Sequence, residues 1–403
     1  MQRISKHFDP EKYLLCLMEA ASTGRASINQ LVASVGRHGQ ELNTSPQALH
    51  KRMNRTECGS EGFLVRCIAL ICSERSKKQR LSIHTCPFGR IVVVDSTTLR
   101  LPKGNAHNFA GNGNGMGQTA GSKVDLAFDL LGGEVMHSDL YVATQHDKAT
   151  APSLLDQLLP NDLVVRDMGY FNVEDFAEIE RLGAFWLSRL PLGADVVSES
   201  GVPLEKSLSG HPGDTMDLGV IITQKGHHGR LVAIRASEEE VEKRRRERRK
   251  EARSKGRTAC KKGLIRDGWH LMVTNVPVAM QSVDQLTAIY SQRWLIEMAF
   301  RAWKQAGNMI KALDRVSSPQ HLKSLMLAGV IGMVIGMKIG LALARSNPTM
   351  RYSLEKVFDV VIARLVTLEN LSQIADLKVD PRHLQGQKRR RKSLNCRLME
   401  LLG

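Results

Sequence analysis

The sequence predicts an α/β protein with a mixed β-sheet, flanked by helical regions at both ends. Between residues 86 and 195, apolar runs rich in β-branched residues alternate with helical patterns, which is typical of an α/β sheet. At 403 residues the chain also exceeds the length at which one hydrophobic core usually stops growing. We therefore expect five segments: a helical region (1–85), the first part of the sheet core (86–195), a β-rich and basic insertion (196–268), the second part of the core (269–325) and a C-terminal helical region (326–403).

The N-terminal region contains three predicted helices. Asp9 followed by Pro10 is a favourable helix start, because aspartate caps the first turn and proline fits it. A second helix is predicted over residues 27–36, and a third begins at residue 45. The last two resemble a helix-turn-helix in which residues 50–52, His-Lys-Arg, would contact phosphates. A plain helical bundle with a basic face is the alternative.

Two of the predicted core strands each end on an aspartate. The run GRIVVVD is continuous and apolar up to Asp95, as in a central strand that is buried on both faces. A hairpin with its turn at the Gly-Gly pair 132–133 follows. A second buried run, DLVVR, ends on Asp167, and a helix (173–182) and a strand (184–190) complete the alternation. A short helix over 151–159 is expected between them.

The insertion contains short strand signals and then a long basic run. Such a run, here from Lys243 to Lys262, is usually a solvated helix or a disordered arm. Because it lies between a strand and the next predicted helix, it is also suited to close over a phosphate backbone. WHLMVTNVP, at residues 269–277, restores a strand. Beyond residue 317 the chain is predicted to be helical, and the basic cluster 388–392 is interpreted as a mobile tail.

A single helix is predicted over residues 290–305, YSQRWLIEMAFRAWKQ. It contains no proline or glycine, and strong helix formers dominate it. At about 100° of rotation per residue, its polar residues fall on one narrow stripe of an otherwise apolar helix. They are Tyr290, Arg293, Glu297 and Lys304, joined by Arg301. The stripe indicates either a polar line that opens into a cleft or an ordinary solvated surface held by i,i+4 pairs. No role is predicted for Arg301.

Charge and cysteine content narrow the class of protein. The formal net charge of +16 favours a polyanionic partner, either nucleic acid or an anionic membrane. The N-terminus has no apolar signal core, and the seven cysteines form no disulfide framework, so we expect a cytoplasmic protein. Cys67 and Cys72 are interpreted as packing thiols, with a zinc site as the alternative. Residues 325–344 are long and apolar enough for a membrane span, but Lys338 lies within them; we expect a buried core helix and no membrane partner.

Three acidic residues have the chemistry of a metal site: Asp95, Asp167 and Glu297. Carboxylate oxygens suit Mg²⁺, which keeps several waters and takes its other ligands from substrate phosphates; Mn²⁺ is the alternative. Two such ions about 3.5–4 Å apart activate the attacking oxygen and stabilise the leaving oxygen in phosphoryl transfer. Either aspartate alone would be an ordinary cap or turn residue. The prediction therefore depends on the order of the three residues within an α/β pattern.

The spacing of four residues resembles a known family. Tyr290, Arg293, Glu297 and Lys304 match the Y-(2)-R-(3)-E-(6)-K signature of the IS4-type DDE transposases, bacterial insertion-sequence enzymes similar to the Tn5 and Tn10 group. The blocks DSTTLRLP and RDMGYF are similar to the family's sequences around its first and second aspartates. The resemblance covers separated blocks from about Val92 to Lys304. It implies an RNase H-like core that is interrupted by a β-rich insertion.

The resemblance also implies a role for each matching residue. The three acidic residues would be the catalytic residues and the metal ligands. Tyr290, Arg293 and Lys304 would bind phosphates of the transposon end, for which a planar guanidinium and a compact ammonium are both suited. Trp269 is placed as the family's base-stacking tryptophan is, which implies release of the ends through a DNA hairpin with a base turned out of the stack. A core tryptophan is the alternative for this position.

The function implied by this resemblance is that of a cut-and-paste DNA transposase. It would bind transposon ends, cleave them and join the freed 3′ ends to target DNA by two-metal phosphoryl transfer. Segment 1–85 would bind double-stranded DNA, and the C-terminal helices would hold a homodimer on it. We expect a location in the bacterial cytoplasm, associated with the nucleoid. The alternatives are an RNase H-fold nuclease that does not join strands and a catalytically inactive, basic DNA-binding regulator.

Overall fold

The chain folds into two compact units. The structure, a computed structural model, describes the following residues: 9–37, 45–54, 60–73, 86–113, 119–147, 152–305, 308–346, 352–365, 367–368 and 373. Within these, the first unit draws on the segments Met1–Ile83, Asp95–Gln145 and Trp294–Gly403. The second unit draws on His84–Val94 and His146–Arg293.

Helices and strands alternate through the middle of the chain. The helices are α1 (Pro10–Thr23), α2 (Ile28–Arg37), α3 (Pro46–Met53), α4 (Ser60–Ser73), α5 (Pro152–Leu155), α6 (Val173–Arg181), α7 (Leu204–Gly210), α8 (Glu238–Ser254), α9 (Lys261–Arg266), α10 (Val283–Ser291), α11 (Trp294–Gln305), α12 (Met309–Leu313), α13 (Pro319–Ser346) and α14 (Leu354–Leu365). The strands are β1 (Ile91–Leu101), β2 (Ala120–Asp129), β3 (Glu134–Val142), β4 (Leu163–Arg166), β5 (Phe185–Arg189), β6 (Val196–Ser198), β7 (Thr215–Ile222), β8 (His227–Arg235) and β9 (Trp269–Thr274).

The first unit is a helical bundle with a β-hairpin. α13 lies at its centre and packs against α1, α4 and α14. The predicted helix starts are confirmed: the Asp9 carboxylate accepts a hydrogen bond from the amide of Glu11 at 2.9 Å, and the Ser45 hydroxyl caps α3 in the same way. The connection between α2 and α3 lies outside the described residues, so the helix-turn-helix stays a prediction.

α13 contains the apolar segment 325–344, for which a membrane span was the alternative to a buried core helix. Within the described residues, its segment Pro319–Leu343 alone is long and apolar enough to cross a membrane, with a mean hydropathy of 2.1. However, 72% of its most apolar window is buried inside the protein. The helix is therefore packed as the predicted core helix would be. In the same unit, Cys67 is half buried in α4, and burial raises the pKa of its thiol.

The hairpin of the first unit is formed by β2 and β3, which pair antiparallel. Its turn falls at residues 130–133, as predicted, and Gly133 adopts a φ of 74° that favours glycine. The Asp129 carboxylate accepts hydrogen bonds from the amides of Leu131 and Gly132 at 3.0 and 2.9 Å. The Asp129 side chain therefore stabilises the turn through two of its amides.

Strand β1 is longer than the sequence indicates. The apolar run predicts an end on Asp95, but the strand continues to Leu101, so Asp95 lies in the middle of it. The residues of β1 before Asp95 are all buried, whereas exposed and buried residues alternate from position 98 to the end of the strand, with Leu99 and Leu101 buried. The apolar run therefore marks only the part of the strand that is covered on both faces, and alternation carries the strand further.

The second unit is built on a mixed sheet. The first residues of β1 pair parallel with β4, and β4 pairs parallel with β5. Beyond β5 the order is β9-β8-β7-β6, with antiparallel pairing throughout. The insertion thus adds three strands to the same sheet, and β9 joins them to β5. In the first unit, β1 is followed by β2 and then β3. The order 3-2-1-4-5, read through β1, is that of an RNase H-like core.

The predicted helix over residues 290–305 is wrong as a single helix. α10 ends at Ser291 and α11 begins at Trp294. The side chains of Ser291 and Gln292 both donate to the carbonyl of Ala288, at 2.7 and 3.3 Å. That carbonyl would otherwise accept the amide of residue 292, which bonds to Ile289 instead. Local side-chain bonds of this kind compete with helix continuation.

Two other predicted helices differ from the structure in extent. The helix expected over 151–159 is reduced to α5, which ends at Leu155 and is followed directly by a turn. The basic run forms a real helix, α8, whose hydroxyl cap is Ser237 and which has no buried residue. The end of that run lies in α9. The basic cluster 388–392 lies outside the described residues.

Candidate active site

Asp95 and Glu297 belong to the first unit. Asp95 is half buried on β1, and its Oδ1 accepts a hydrogen bond from the amide of Ser96 at 2.8 Å. Glu297 is half buried in the first turn of α11. An acidic residue is favourable there, because the exposed amides at a helix N-terminus carry partial positive charge. Both carboxylates therefore have local support and keep part of their surface open to solvent.

Lys304 joins α11 to β1 within the first unit. Its ammonium donates a hydrogen bond of 2.7 Å to the carbonyl of Thr98, three residues beyond Asp95 on the same strand. Burial lowers the pKa of this lysine, because a cation loses hydration when it is covered. The last turn of α11 is thus attached to the strand that carries Asp95. Arg301, one turn earlier, is exposed.

Asp167 and Tyr290 make direct contact in the second unit. Asp167 follows β4, and the hydroxyl of Tyr290 donates a hydrogen bond of 3.2 Å to its Oδ1. Burial, and then the neighbouring Asp167 carboxylate, raise the pKa of Tyr290. The hydroxyl is therefore protonated at neutral pH and is available as a donor. The guanidinium carbon of Arg293 lies 5.9 Å from the centre of the Tyr290 ring, within the range of a cation–π contact.

A buried ion pair supports the segment around Asp167. Arg166, the last residue of β4, is 1% exposed and donates to the carboxylate of Asp175 on α6 at 2.7 Å. The amide of Asn172 donates to the other oxygen of Asp175 at 3.0 Å, while its own oxygen caps α6. The chain between β4 and α6, which includes Asp167, is therefore held at both ends.

Arg189 also lies near Asp167, although no motif in the sequence marks it. It is the last residue of β5, which runs parallel to β4 with Arg166 opposite Ser188. One position further along the two strands come Asp167 and Arg189, so both lie at the same edge of the sheet. Arg189 is half buried, and its charge offsets a small part of the rise that burial causes in the pKa of Tyr290. The feature of the sequence that could have indicated Arg189 is a cation at the end of β5, the next strand after Asp167.

Trp269 is buried at the start of β9, with 5% of its surface exposed. The guanidinium carbon of Arg235 lies 4.3 Å from the centre of its ring, and the ring of His211 lies 5.9 Å away. Arg235 thus covers the tryptophan in a cation–π contact. A nucleotide base would have to displace this arginine before it could stack on the ring.

The donor chemistry of the three acidic residues fits a hydrated divalent cation. All three side chains offer carboxylate oxygens and are half buried, and Mg²⁺ is held through one or two carboxylates, waters and substrate phosphates rather than by a closed protein cage. In the part of the chain that the structure describes, no three His, Cys, Asp or Glu side chains are grouped closely enough to hold a metal by themselves.

The strand order and the positions of the acidic residues define the class of protein. This is an RNase H-like fold with carboxylates on β1, after β4 and on α11. The chain belongs to the family described as "Transposase DDE domain", which residues 87–328 match. The matched region covers more than half of the chain and contains the three acidic residues and the whole Tyr-Arg-Glu-Lys signature. The predicted family is confirmed; similarity to the Tn5 and Tn10 group stays a prediction.

Relatives of known name are insertion-sequence transposases. Over 287 residues the chain is 30% identical to the transposase for insertion sequence element IS231F of Bacillus thuringiensis subsp. israelensis, covering 64% of this chain and 58% of that protein. Over 326 residues it is 28% identical to the transposase for IS231C of Bacillus thuringiensis subsp. berliner, covering 75% and 67%. The chain thus spans about three fifths of the length of the IS231F relative.

A solved structure also shows a likeness of low score. It is the cryo-EM structure of the piggyBac transposase synaptic complex with hairpin DNA, with a TM-score of 0.41 and 9% sequence identity. The alignment covers 96% of this chain and 78% of that chain.

Proposed function

We propose that this chain is a DNA transposase that binds the ends of its element, cleaves them and joins the 3′ ends to target DNA. One observation carries the proposal: the family match over residues 87–328 includes all three acidic residues and the complete signature on an RNase H-like strand order. The polyanionic partner that a net charge of +16 favours is then double-stranded DNA. The protein would act in the bacterial cytoplasm, associated with the nucleoid.

Asp95, Asp167 and Glu297 are the proposed metal ligands and catalytic residues. Mg²⁺, or Mn²⁺ in its place, would supply activation of the attacking oxygen and stabilisation of the leaving oxygen. The chain's own contribution is to hold the carboxylates. Tyr290 fixes one oxygen of Asp167 through the 3.2 Å hydrogen bond, and the Ser96 amide fixes one oxygen of Asp95.

Tyr290, Arg293 and Lys304 are the proposed contacts to phosphates of the transposon end. The aromatic ring of Tyr290 supports the guanidinium of Arg293, which can bind a phosphate with two parallel hydrogen bonds. Lys304 currently donates to the carbonyl of Thr98. Because an ammonium has three donors, it can keep this bond and still bind a phosphate.

The finer steps of the reaction are also proposals. We propose a cut-and-paste route in which a homodimer holds the two ends and releases them through a DNA hairpin. Trp269 would stack on the extruded base after Arg235 moves off its ring. If so, Trp269→Ala should nick the ends but yield few hairpins on a denaturing gel. A normal hairpin yield from a folded Trp269→Ala protein would leave the tryptophan as a core residue.

The proposal is tested by removing one carboxylate charge at a time. Asp95→Asn, Asp167→Asn and Glu297→Gln should each abolish Mg²⁺-dependent cleavage of a plasmid that carries the inverted repeats flanking the gene. End binding should persist, because the amides keep the shape of the side chains and lose only the charge that attracts a cation. Asp139→Asn is a matched control, since this aspartate is exposed on β3. Near-normal cleavage by one of the three variants would remove that residue from the metal set.

The same assay separates transposase from its alternatives. Labelled 3′ ends that become joined to a target plasmid are the product expected of a transposase. A wild-type protein that cleaves and never joins would instead be a nuclease, and one that binds the ends without cleavage in either metal would be a regulator.

A further inference from the structure

The outer face of α8 carries a row of cations that the catalytic proposal does not use. In a helix with about 100° of rotation per residue, these side chains fall within an arc of about 120°. Each is exposed, and within the described residues none has an ion pair or a side-chain hydrogen bond. They are Lys243, Arg246, Arg249, Lys250 and Arg253.

The inner face of the same helix is fixed by arginines. Arg248 forms two hydrogen bonds of 2.7 and 2.6 Å with the carboxylate of Asp267, which is buried. Arg244 donates to the carbonyls of Asp267 and Trp269, both at 3.3 Å, and Arg245 donates to the carbonyl of Leu264 at 3.1 Å. Planar guanidinium groups lose little freedom in such bonds. The helix therefore has one fixed orientation, with the five other cations turned outward.

The acidic residues of α8 do not neutralise this outer face. Glu239 and Glu242 share its direction but precede Lys243 in the first turns, where acidic residues are favourable for the helix dipole. After Lys243, Glu247 and Glu251 lie on one flank of the helix, outside the arc of cations, and Glu251 pairs with Lys255. The charge pattern therefore differs from that of a helix on which both signs are interspersed.

The position of α8 between β8 and β9 also indicates that this segment does more than connect the two strands. β8 and β9 are neighbouring antiparallel strands, and such strands can be joined by a tight turn of about two residues. Here residues 236–268 are inserted instead. The connection is folded, anchored and basic on its free side, so it presents charge in a fixed direction.

We infer that the outer face of α8 binds the phosphate backbone of duplex DNA, an inference that rests on the proposed function. From Lys243 to Arg253 the row is about 15 Å long at 1.5 Å per residue. One strand of B-DNA places a phosphate about every 3.4 Å along its axis, so the row spans about four phosphates. Such contacts give affinity without reading sequence and release counterions.

The test compares four forms of the full chain: the wild type, an outer-face variant, a control variant and a charge-keeping variant. In the outer-face variant, glutamine replaces Lys243, Arg246, Arg249, Lys250 and Arg253. In the control variant, glutamine replaces five cations that are exposed elsewhere: Lys103, Arg181, Lys206, Lys225 and Arg315. The outer-face variant and the control variant each lose five positive charges. The probe is a random-sequence duplex, and its dissociation constant is measured by fluorescence anisotropy over a series of salt concentrations.

The outer-face variant should bind the duplex at least about tenfold more weakly at about 0.1 M salt. The slope of its log affinity against log salt should shrink by about 0.9 for each phosphate that the protein no longer neutralises. A charge-keeping variant with Lys and Arg exchanged at the same five positions should bind like the wild type. Equal weakening in the control variant would show a general charge effect, and an unchanged slope would show that the face does not touch phosphates; either result overturns the inference.

Two further measurements keep the outcomes distinct. If the outer-face variant binds DNA normally but no longer binds phosphatidylserine vesicles, the surface serves an anionic membrane and the inference fails. If the wild type itself cleaves the ends and the outer-face variant binds and cleaves equally well, the α8 inference fails while the proposed function stands. A wild type with no affinity for duplex DNA would contradict both. Circular dichroism confirms that the variants are folded.

Discussion

At the scale of single residues, Tyr290 shows how burial prepares a side chain for a role. Its hydroxyl lies against Asp167, and burial raises its pKa, since the phenolate would be poorly solvated. The nearby charges of Arg293 and Arg189 act in the opposite direction but do not outweigh burial. The hydroxyl therefore stays protonated and holds one oxygen of Asp167 by donation. The spacing in the sequence identified Tyr290, but only the structure identifies what it touches.

His321 makes the stability of the first unit depend on pH. It is 4% exposed in α13, and its Nε2 has no hydrogen-bond partner within the described residues. Burial, with a smaller effect of His50, lowers the pKa of His321 to about 4, against about 6.5 in an unfolded chain. The unfolded state therefore binds the proton more strongly. Stability should fall as the pH drops from about 6.5 toward 4.

We predict that His321→Leu will reduce this pH dependence. At pH 5 the wild type should have lost roughly 2 kcal/mol of stability through this group relative to pH 7.5, and the leucine cannot take up a proton. Urea midpoints at the two pH values measure the difference for each protein. His107→Gln, at an exposed histidine, should leave the wild-type dependence unchanged. An equally large pH dependence in His321→Leu would assign the effect to other groups.

At the scale of elements, the sequence predicted most of the strands but not the end of β1, the end of α5 or the break between α10 and α11. Apolar β-branched runs located β4 and β5, and a Gly-Gly pair located the β2–β3 turn, because these signals are local. The break between α10 and α11 was missed, since it depends on Ser291 and Gln292 donating to the carbonyl of Ala288. Neither residue type is a helix breaker by propensity. A propensity pattern therefore does not show which of the two arrangements, those side-chain bonds or a continuous helix, forms here.

The sequence predicts residues for the candidate site but not the contacts that those residues make. Spacing and strand position identified the acidic residues, and the family match includes them. The bond from Lys304 to the carbonyl of Thr98 joins residues far apart in the chain, and no local pattern contains that information. The contact of Trp269 with Arg235 was missed for the same reason. Arg189 was missed because its significance comes from strand register, one position beyond the pair of Arg166 and Ser188.

The β4–α6 connection provides a prediction at the element scale. Asp175→Ala would remove the carboxylate that pairs with the buried guanidinium of Arg166. Two other nitrogens of Arg166 already have no hydrogen-bond partner among the described residues, so the variant would leave the buried charge uncompensated. Breaking a buried ion pair from one side costs about 3–5 kcal/mol. We therefore expect a large loss of stability in urea denaturation and weaker cleavage, since Asp167 lies on this segment.

A matched control exists on the same helix. Glu178 and Arg181 form an exposed ion pair of α6, and exposed pairs contribute little because water screens them. Glu178→Ala should therefore leave the denaturation midpoint nearly unchanged. If the two variants were equally destabilised, the helix itself and not the buried pair would be responsible for the effect of Asp175→Ala.

At the scale of the whole molecule, the positive charge provides attraction to a polyanion, and the fold determines where that charge is presented. The net charge of +16 attracts any polyanion and carries no sequence information. The insertion, which would be a separate domain by composition alone, continues the sheet of the second unit through β8 and β9. The most basic helix, α8, is thereby attached to the same sheet that carries Asp167 at the end of β4.

Because phosphate contacts and base contacts contribute separately to affinity, their effects can be measured with two duplexes. The wild type should bind two duplexes of equal length, one with the inverted repeat that flanks the gene and one with the same bases scrambled. Both affinities should fall with salt along parallel lines, because phosphate contacts release counterions in either complex. The repeat should bind more tightly at every salt concentration, by roughly 10³-fold or more, since base contacts add to the same phosphate contacts. Two coincident lines would mean that the protein does not recognise its ends, and would favour a nonspecific nuclease over a transposase.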